Sequence, residues 1–303
     1  MRTTLLLVGL VSVWAAAPVQ AQVRGVYPTG MSATNSGGTP APGVTYSNLF
    51  LFNSRDQLLG PDGAIVNTGQ HALMIDLNTL TWVSRRERLG GAKFSMAATL
   101  LVSSNSLQSD TSGAISSGGG FGDLYLQPVI FGWKKSRADV RAAYGILAPT
   151  GRFEATANDN VGSGYWTHAP SVGATFYLSG SRSTALSGFY MHEFHTEQQG
   201  SGIHPGQTAN IDYSVTHTLP LGTGLQMQVG LVGYGQWQTT DKTGPAITPA
   251  ESATRYGVNA LGFVSSLMIP DRKTTLNLKY FKEFAARSTF QGYTLHISIG
   301  ITF

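Results

Sequence analysis

The chain of 303 residues contains no cysteine. That absence excludes disulfide frameworks, zinc–thiolate sites and thiol nucleophiles together. Charge is scarce as well: Asp, Glu, Lys and Arg make up 12% of the residues, about half of what soluble domains usually carry. The basic residues are dispersed and the formal net charge is only +4, so there is no nucleic-acid footprint and no nucleic-acid partner is expected. After Ala21, every apolar stretch is broken by polar residues within a few positions. None of them can be a transmembrane helix, which needs about 18 or more apolar residues in a row. What the chain does have is 37 glycines and 10% aromatic residues, a composition suited to many strands and turns.

Residues 1–21 read as an export signal. Arg2 gives the positive start, Leu5 to Ala17 the apolar run, and Val19-Gln20-Ala21 a small-residue cleavage site that leaves Gln22 as the first mature residue. The apolar run is too short for a membrane anchor and stops at Pro18. Residues 22–42 are rich in Pro, Gly, Ser and Thr without periodicity and read as an irregular segment. It is expected inside the lumen, or across the mouth, of whatever residues 43–303 build.

Those later residues carry strand patterning. Tyr293, Leu295, Ile297, Ile299, Ile301 and Phe303 are apolar, and the residues between them are polar or small. A strand with this alternation has one apolar and one hydrophilic face. A final amphipathic strand ending on Phe resembles the last strand of Gram-negative outer-membrane barrels, and implies recognition of Phe303 by the barrel-assembly machinery. Twelve strands are predicted: 44–54, 70–84, 92–105, 122–133, 139–148, 167–179, 183–196, 207–219, 224–240, 254–269, 274–286 and 292–303. Their connections alternate between short links, such as Lys134–Arg137, and long polar loops, such as Ser106–Phe121 and Arg55–Gly69. A barrel with short periplasmic turns and long external loops gives this asymmetry, and an even strand number puts both termini in the periplasm. The expected fold is therefore all-β: a transmembrane antiparallel up-and-down β-barrel of about 12 strands, wrapped in outer-membrane lipid. A secreted sandwich would have no reason to sort its loops by parity.

Several strands allow faces to be assigned. Ile211, Tyr213, Val215 and Leu219 oppose Asn210, Asp212, Ser214, Thr216 and Thr218. Leu276, Leu278, Tyr280 and Phe284 oppose Asn277, Lys279, Phe281 and Glu283. Turning Lys279 toward mid-bilayer would cost roughly 2–4 kcal/mol, which fixes the register. The strand at 183–196 is mixed, and its faces cannot be assigned. Trp82, Trp133, Tyr165, Trp166, Trp237 and Tyr293 fall near strand ends and are expected in the aromatic girdles.

Candidate chemistry is thin. His296 and Ser298 share a face, as a barrel lipase would require, but they are expected toward the lumen with no orienting partner. His192, Glu193, His195 and His204 could suggest a metal, yet a spacing of three puts His192 and His195 on opposite strand faces. Gly118-Gly119-Gly120 has no Gly-Lys-Ser/Thr after it, so it is not a phosphate loop. No metal and no cofactor are expected. The lumen is the expected functional surface, with Asp76, Asp212, Tyr234, Lys279, Phe281, Glu283 and His296 along the substrate pathway. Both charge signs occur there, so no simple ion filter is implied.

Ordered motifs then accumulate. Gly122-Asp123 is followed by Gln127-Pro128 and Gly132-Trp133, then Pro149-Thr150-Gly151-Arg152-Phe153, then Gly162-Ser163-Gly164-Tyr165-Trp166-Thr167. Asp212-Tyr213, Gly233-Tyr234 with Gln236, and Lys279-Tyr280 with Glu283-Phe284 come later. From about Gly25 to Phe303 the chain resembles the family labelled "MetA-pathway of phenol degradation". The resemblance implies an outer-membrane transporter that admits small hydrophobic or aromatic compounds to catabolism. The loop from Thr196 to Gly206 lacks the Thr-x-Tyr-x-Ser-Gly pattern associated with relatives. A general porin, a structural or surface-binding barrel and a barrel lipase are the competing readings.

Overall fold

The computed structural model describes residues 25–303 apart from 223 and 246; the export signal read at 1–21 lies outside the described residues. The strands are β1 (Gly43–Leu59), β2 (Ile65–Arg88), β3 (Ala92–Ser109), β4 (Gly113–Phe121), β5 (Leu124–Lys134), β6 (Ala138–Ala148), β7 (Thr167–Tyr177), β8 (Thr184–His195), β9 (Thr208–Pro220), β10 (Gln226–Gln238), β11 (Gly257–Ile269), β12 (Thr274–Arg287) and β13 (Thr289–Thr302). All pairs are antiparallel, and β1 pairs with both β2 and β13, so the sheet closes on itself. The upper part of β3 pairs with β4 and the lower part with β5. β4 and β5 are thus two halves of one wall strand, interrupted at Gly122-Asp123, and the barrel has twelve walls. Closure pairs backbone groups that hydrocarbon could not satisfy. Among the described residues no helix is long and apolar enough to cross a membrane.

Side-chain alternation sets the wall. On β9, Asn210, Asp212, Ser214 and Thr216 are buried while Ile211, Tyr213, Val215 and Leu219 are exposed. On β12, Lys279, Phe281 and Glu283 are buried and Leu276, Leu278 and Phe284 are exposed. The outer face is therefore apolar and the inner face polar, the reverse of a soluble protein and as a membrane barrel requires. An aromatic run of Trp82, Phe94, Phe131 and Trp133, with neighbouring ring centroids 5.7–6.3 Å apart, lies near the rim that holds the β2–β3 turn. Gly43 and Phe303 lie at that same rim. The opposite rim carries the long connections, including the short helix α1 (Pro249–Ala253).

The structure corrects four expectations. Most of Arg55–Gly69 and Ser106–Phe121 is strand, not loop: β1 runs to Leu59, β2 starts at Ile65, and β3–β4 form a hairpin turning at residues 110–112. These extensions stand beyond the apolar band, so their pairing carries no apolar alternation to read. The mixed strand β8 does alternate, with Ala185, Ser187, Phe189, Met191, Glu193 and His195 buried. Its inner face looked wrong because Phe189 and Met191 pack on an apolar partner inside the barrel. Tyr165 is not in a girdle; it is buried edge-on against His195, with ring centroids 5.0 Å apart.

Asp76 is the fourth. It pairs with Phe50 and Val102 on the outer face, between exposed Met74 and Leu80. Its carboxylate accepts from the amides of Asn48 and Asn78, and Asn78 accepts from the Tyr46 hydroxyl 2.7 Å away. Outward amides supply the solvation that lipid does not, so a charge here does not mark the lumen.

Candidate functional site: a strapped lumen with two cavities

Residues 25–42 run among the inward side chains of the wall. Glu193 accepts the backbone N–H groups of Val26 and Tyr27, each at 2.9 Å, and the Asn210 amide at 3.0 Å. Asp212 accepts the Tyr27 hydroxyl at 2.5 Å and the N–H groups of Gly30 and Ser32 at 2.9 Å. Lys279 donates to the carbonyls of Gly30 and Met31 at 3.1 and 2.9 Å. Each charge is spent on backbone groups that a strand partner would otherwise satisfy, as irregular backbone at membrane depth demands. Tyr27 also stacks on Phe189 with centroids 5.4 Å apart. Gly30 lies at φ +82° against Phe281 and Tyr234, where a Cβ would come within 2.6 Å of the Phe281 ring. Only glycine fits that turn without displacing the ring.

The strap divides the lumen. One cavity of about 350 Å³ lies toward the short-turn rim, bounded by Thr81, Thr275 and Gly300. Another of about 620 Å³ lies toward the long loops, bounded by Arg55, His71, Ile115 and Phe290. Val26, Tyr27 and Pro28 line both, so the strap is the partition. At the loop rim, the backbone and hydroxyl donors of Thr248 hold the Glu251 carboxyl below its ordinary pKa.

The seven expected pathway residues do not form one site. Asp212 and Lys279 bind the strap, and Tyr234 and Phe281 pack against it. Glu283 is held by Arg55 through contacts of 2.7–3.1 Å, with the Tyr234 hydroxyl and the Gly292 N–H as further donors. His296 and Lys279 line the smaller cavity. Asp76 does not join them. Three residues that the sequence reading passed over do face the lumen: Arg55, Tyr125 and Arg141. The strand pattern could have flagged Arg141, which lies between Asp139 and Ala143 on the buried face of β6.

The sequence motifs converge in space. Asp123, at the break between β4 and β5, accepts from the Gly151 N–H and from the Ser163 N–H and hydroxyl at 2.6–2.9 Å. Leu124 donates to the Thr150 hydroxyl, and Gly122, Gly151 and Gly162 pack backbone to backbone. Gly122-Asp123, Pro149-Thr150-Gly151 and Gly162-Ser163-Gly164 therefore clamp the two ends of loop 149–166 on the broken wall strand. Their role is to shape the loop.

The profile of the family described as "MetA-pathway of phenol degradation" matches residues 55–299. The COG4313 outer membrane channel from Pseudomonas putida F1 superposes with a TM-score of 0.71 at 14% identity, covering 89% of this chain and 98% of that one. The beta domain of the Bordetella autotransporter BrkA superposes with a TM-score of 0.56 at 10% identity, covering 87% of this chain and all of the other. At such identities the likeness is one of fold, an outer-membrane β-barrel. No curated protein matches the sequence.

Proposed function

Since the chain belongs to the family described as "MetA-pathway of phenol degradation", we propose that it is an outer-membrane channel for passive uptake of small hydrophobic or aromatic compounds destined for catabolism. The observation that carries this reading is the divided lumen: two cavities in line through a closed barrel, separated by a strap held through hydrogen bonds and packing. A solute moves down its gradient from the larger cavity to the smaller one when the strap yields. No covalent chemistry is required. The short-turn rim, which carries Gly43 and Phe303, faces the periplasm, and the chain reaches the membrane after cleavage of its leader at Ala21. The assembly machinery engages the strand that ends at Phe303.

A lipase reading finds no support in the side chains. Ser298 bonds to the Asn277 amide at 3.0 Å, and neither nitrogen of His296 has a hydrogen-bond partner among the described residues. A serine nucleophile needs its base within hydrogen-bond reach.

Liposome swelling over a panel of phenols, alkanes, fatty acids and sugars tests the function. Aromatics should enter faster than sugars of similar size. Free entry of sugars with exclusion of aromatics would make the protein a general porin.

A further inference from the structure

The smaller cavity contains a cation with no anion to match it. Arg141 lines it from the inner face of β6. Among the described residues it forms neither an ion pair nor a hydrogen bond, and its electrostatic neighbours are the hydroxyls of Tyr27 and Tyr125, not a carboxylate. The other lining charges are already engaged. Glu193 and Asp123 each accept three hydrogen bonds, and Lys279 donates two. An unpaired guanidinium inside a protein is costly unless something polar compensates it.

Around Arg141 lie further buried hydroxyls. Among the described residues those of Thr39 and Ser95 have no hydrogen-bond partner, the Tyr125 hydroxyl has only the Gln127 side chain beside it, and all three residues line this cavity. Their placement follows from glycines. Gly132 and Gly173 are the ladder neighbours of Arg141 on either side. The Thr39 hydroxyl occupies the space that a Cβ on Gly132 would take, and the Tyr125 hydroxyl lies over Gly145 on Arg141's own strand. His296, buried on β13 across the lumen, has no hydrogen-bond partner among the described residues at either ring nitrogen, and it lines the same cavity. Leu49, Leu77, Leu101, Ile130, Leu147 and Met191 give the cavity an apolar part, set among polar residues such as Thr79, Thr99 and Asn277. Buried polar groups in proteins are normally satisfied. A set of hydroxyls around a free guanidinium, in a cavity whose lining also has an apolar part, marks a ligand position.

We propose that Arg141, with the Tyr125 and Thr39 hydroxyls, binds the carboxylate of a small acid whose aromatic or short aliphatic body rests on the apolar part of the lining. The guanidinium fork matches a carboxylate bidentately, and both hydroxyls donate to the same anion. A volume of about 350 Å³ lies at the small end of the ligand-pocket range of about 300–1,000 Å³, which suits one ring or a short chain. This deepens the uptake reading, on which it rests for placing the cavity along the solute path.

The test is calorimetric titration of the full chain in detergent with benzoate and with benzyl alcohol, its uncharged counterpart. Benzoate should bind and benzyl alcohol should bind far more weakly. Arg141→Gln should weaken benzoate about tenfold or more, the scale of a lost charge-assisted contact. Arg141→Lys should recover part of the loss, and Tyr125→Phe should cost less than Arg141→Gln. If the glutamine variant loses its heat-modifiable gel shift, the lysine and phenylalanine variants decide the matter. Equal binding of acid and alcohol, or benzoate affinity indifferent to the lysine and phenylalanine changes, would overturn the proposal. Phenol flux into liposomes separates the two readings. Phenol entry without benzoate binding sinks the carboxylate site alone; benzoate binding without flux of either compound sinks the transport reading alone.

Discussion

Removing the Glu283 carboxylate leaves the Arg55 guanidinium inside the barrel without its ion-pair partner among the described residues, and takes an acceptor from the Tyr234 hydroxyl and the Gly292 N–H. Loss of one member of a buried pair typically costs about 3–5 kcal/mol. Glu283→Ala should therefore lower the chain's resistance to guanidinium unfolding in lipid vesicles by that order. The double change Glu283→Met with Arg55→Met should cost much less, because no charge is stranded. Equal losses for the single and double variants would show that packing, not charge, holds this corner. Residue identity was only partly legible beforehand. Asp212, Lys279 and Glu283 could be placed because strict alternation surrounded them. Asp76 could not, because Asn48 and Asn78 solvate it from neighbouring positions on the outer face. That compensation depends on a strand pairing which no local pattern reveals.

Elements were easier to read than residues wherever lipid set the rule. β9 and β12 alternate because one side meets hydrocarbon and the other does not. β8 hid its faces because its inner neighbour is the strap: Phe189 and Met191 are apolar inward residues that serve Tyr27. A contact between residues more than 160 positions apart leaves no periodic trace. The strap itself is the element most open to test. Gly30→Ala would drive a methyl into the Phe281 ring at a left-handed backbone position, which non-glycine residues adopt at a cost. Single-channel conductance in planar bilayers should rise with this change, and should rise further when residues 25–42 are deleted. Conductance unaltered by both would mean that the strap does not control passage.

At the scale of the whole molecule, the outer wall decides the solvent. Leu231, Phe263, Leu261, Val215 and Ile297 are all about half exposed or more, an apolar surface far beyond what a soluble monomer tolerates. The folded chain should persist in detergent and aggregate when the detergent is removed. A monomer that stays folded in plain buffer would contradict the membrane architecture. The same scale gives meaning to the seam. β1 joins β13 to complete the circle, and the strap leads directly into β1. Because the segment that fills the barrel is continuous with the strand that closes it, seating the one and sealing the other draw on the same stretch of chain.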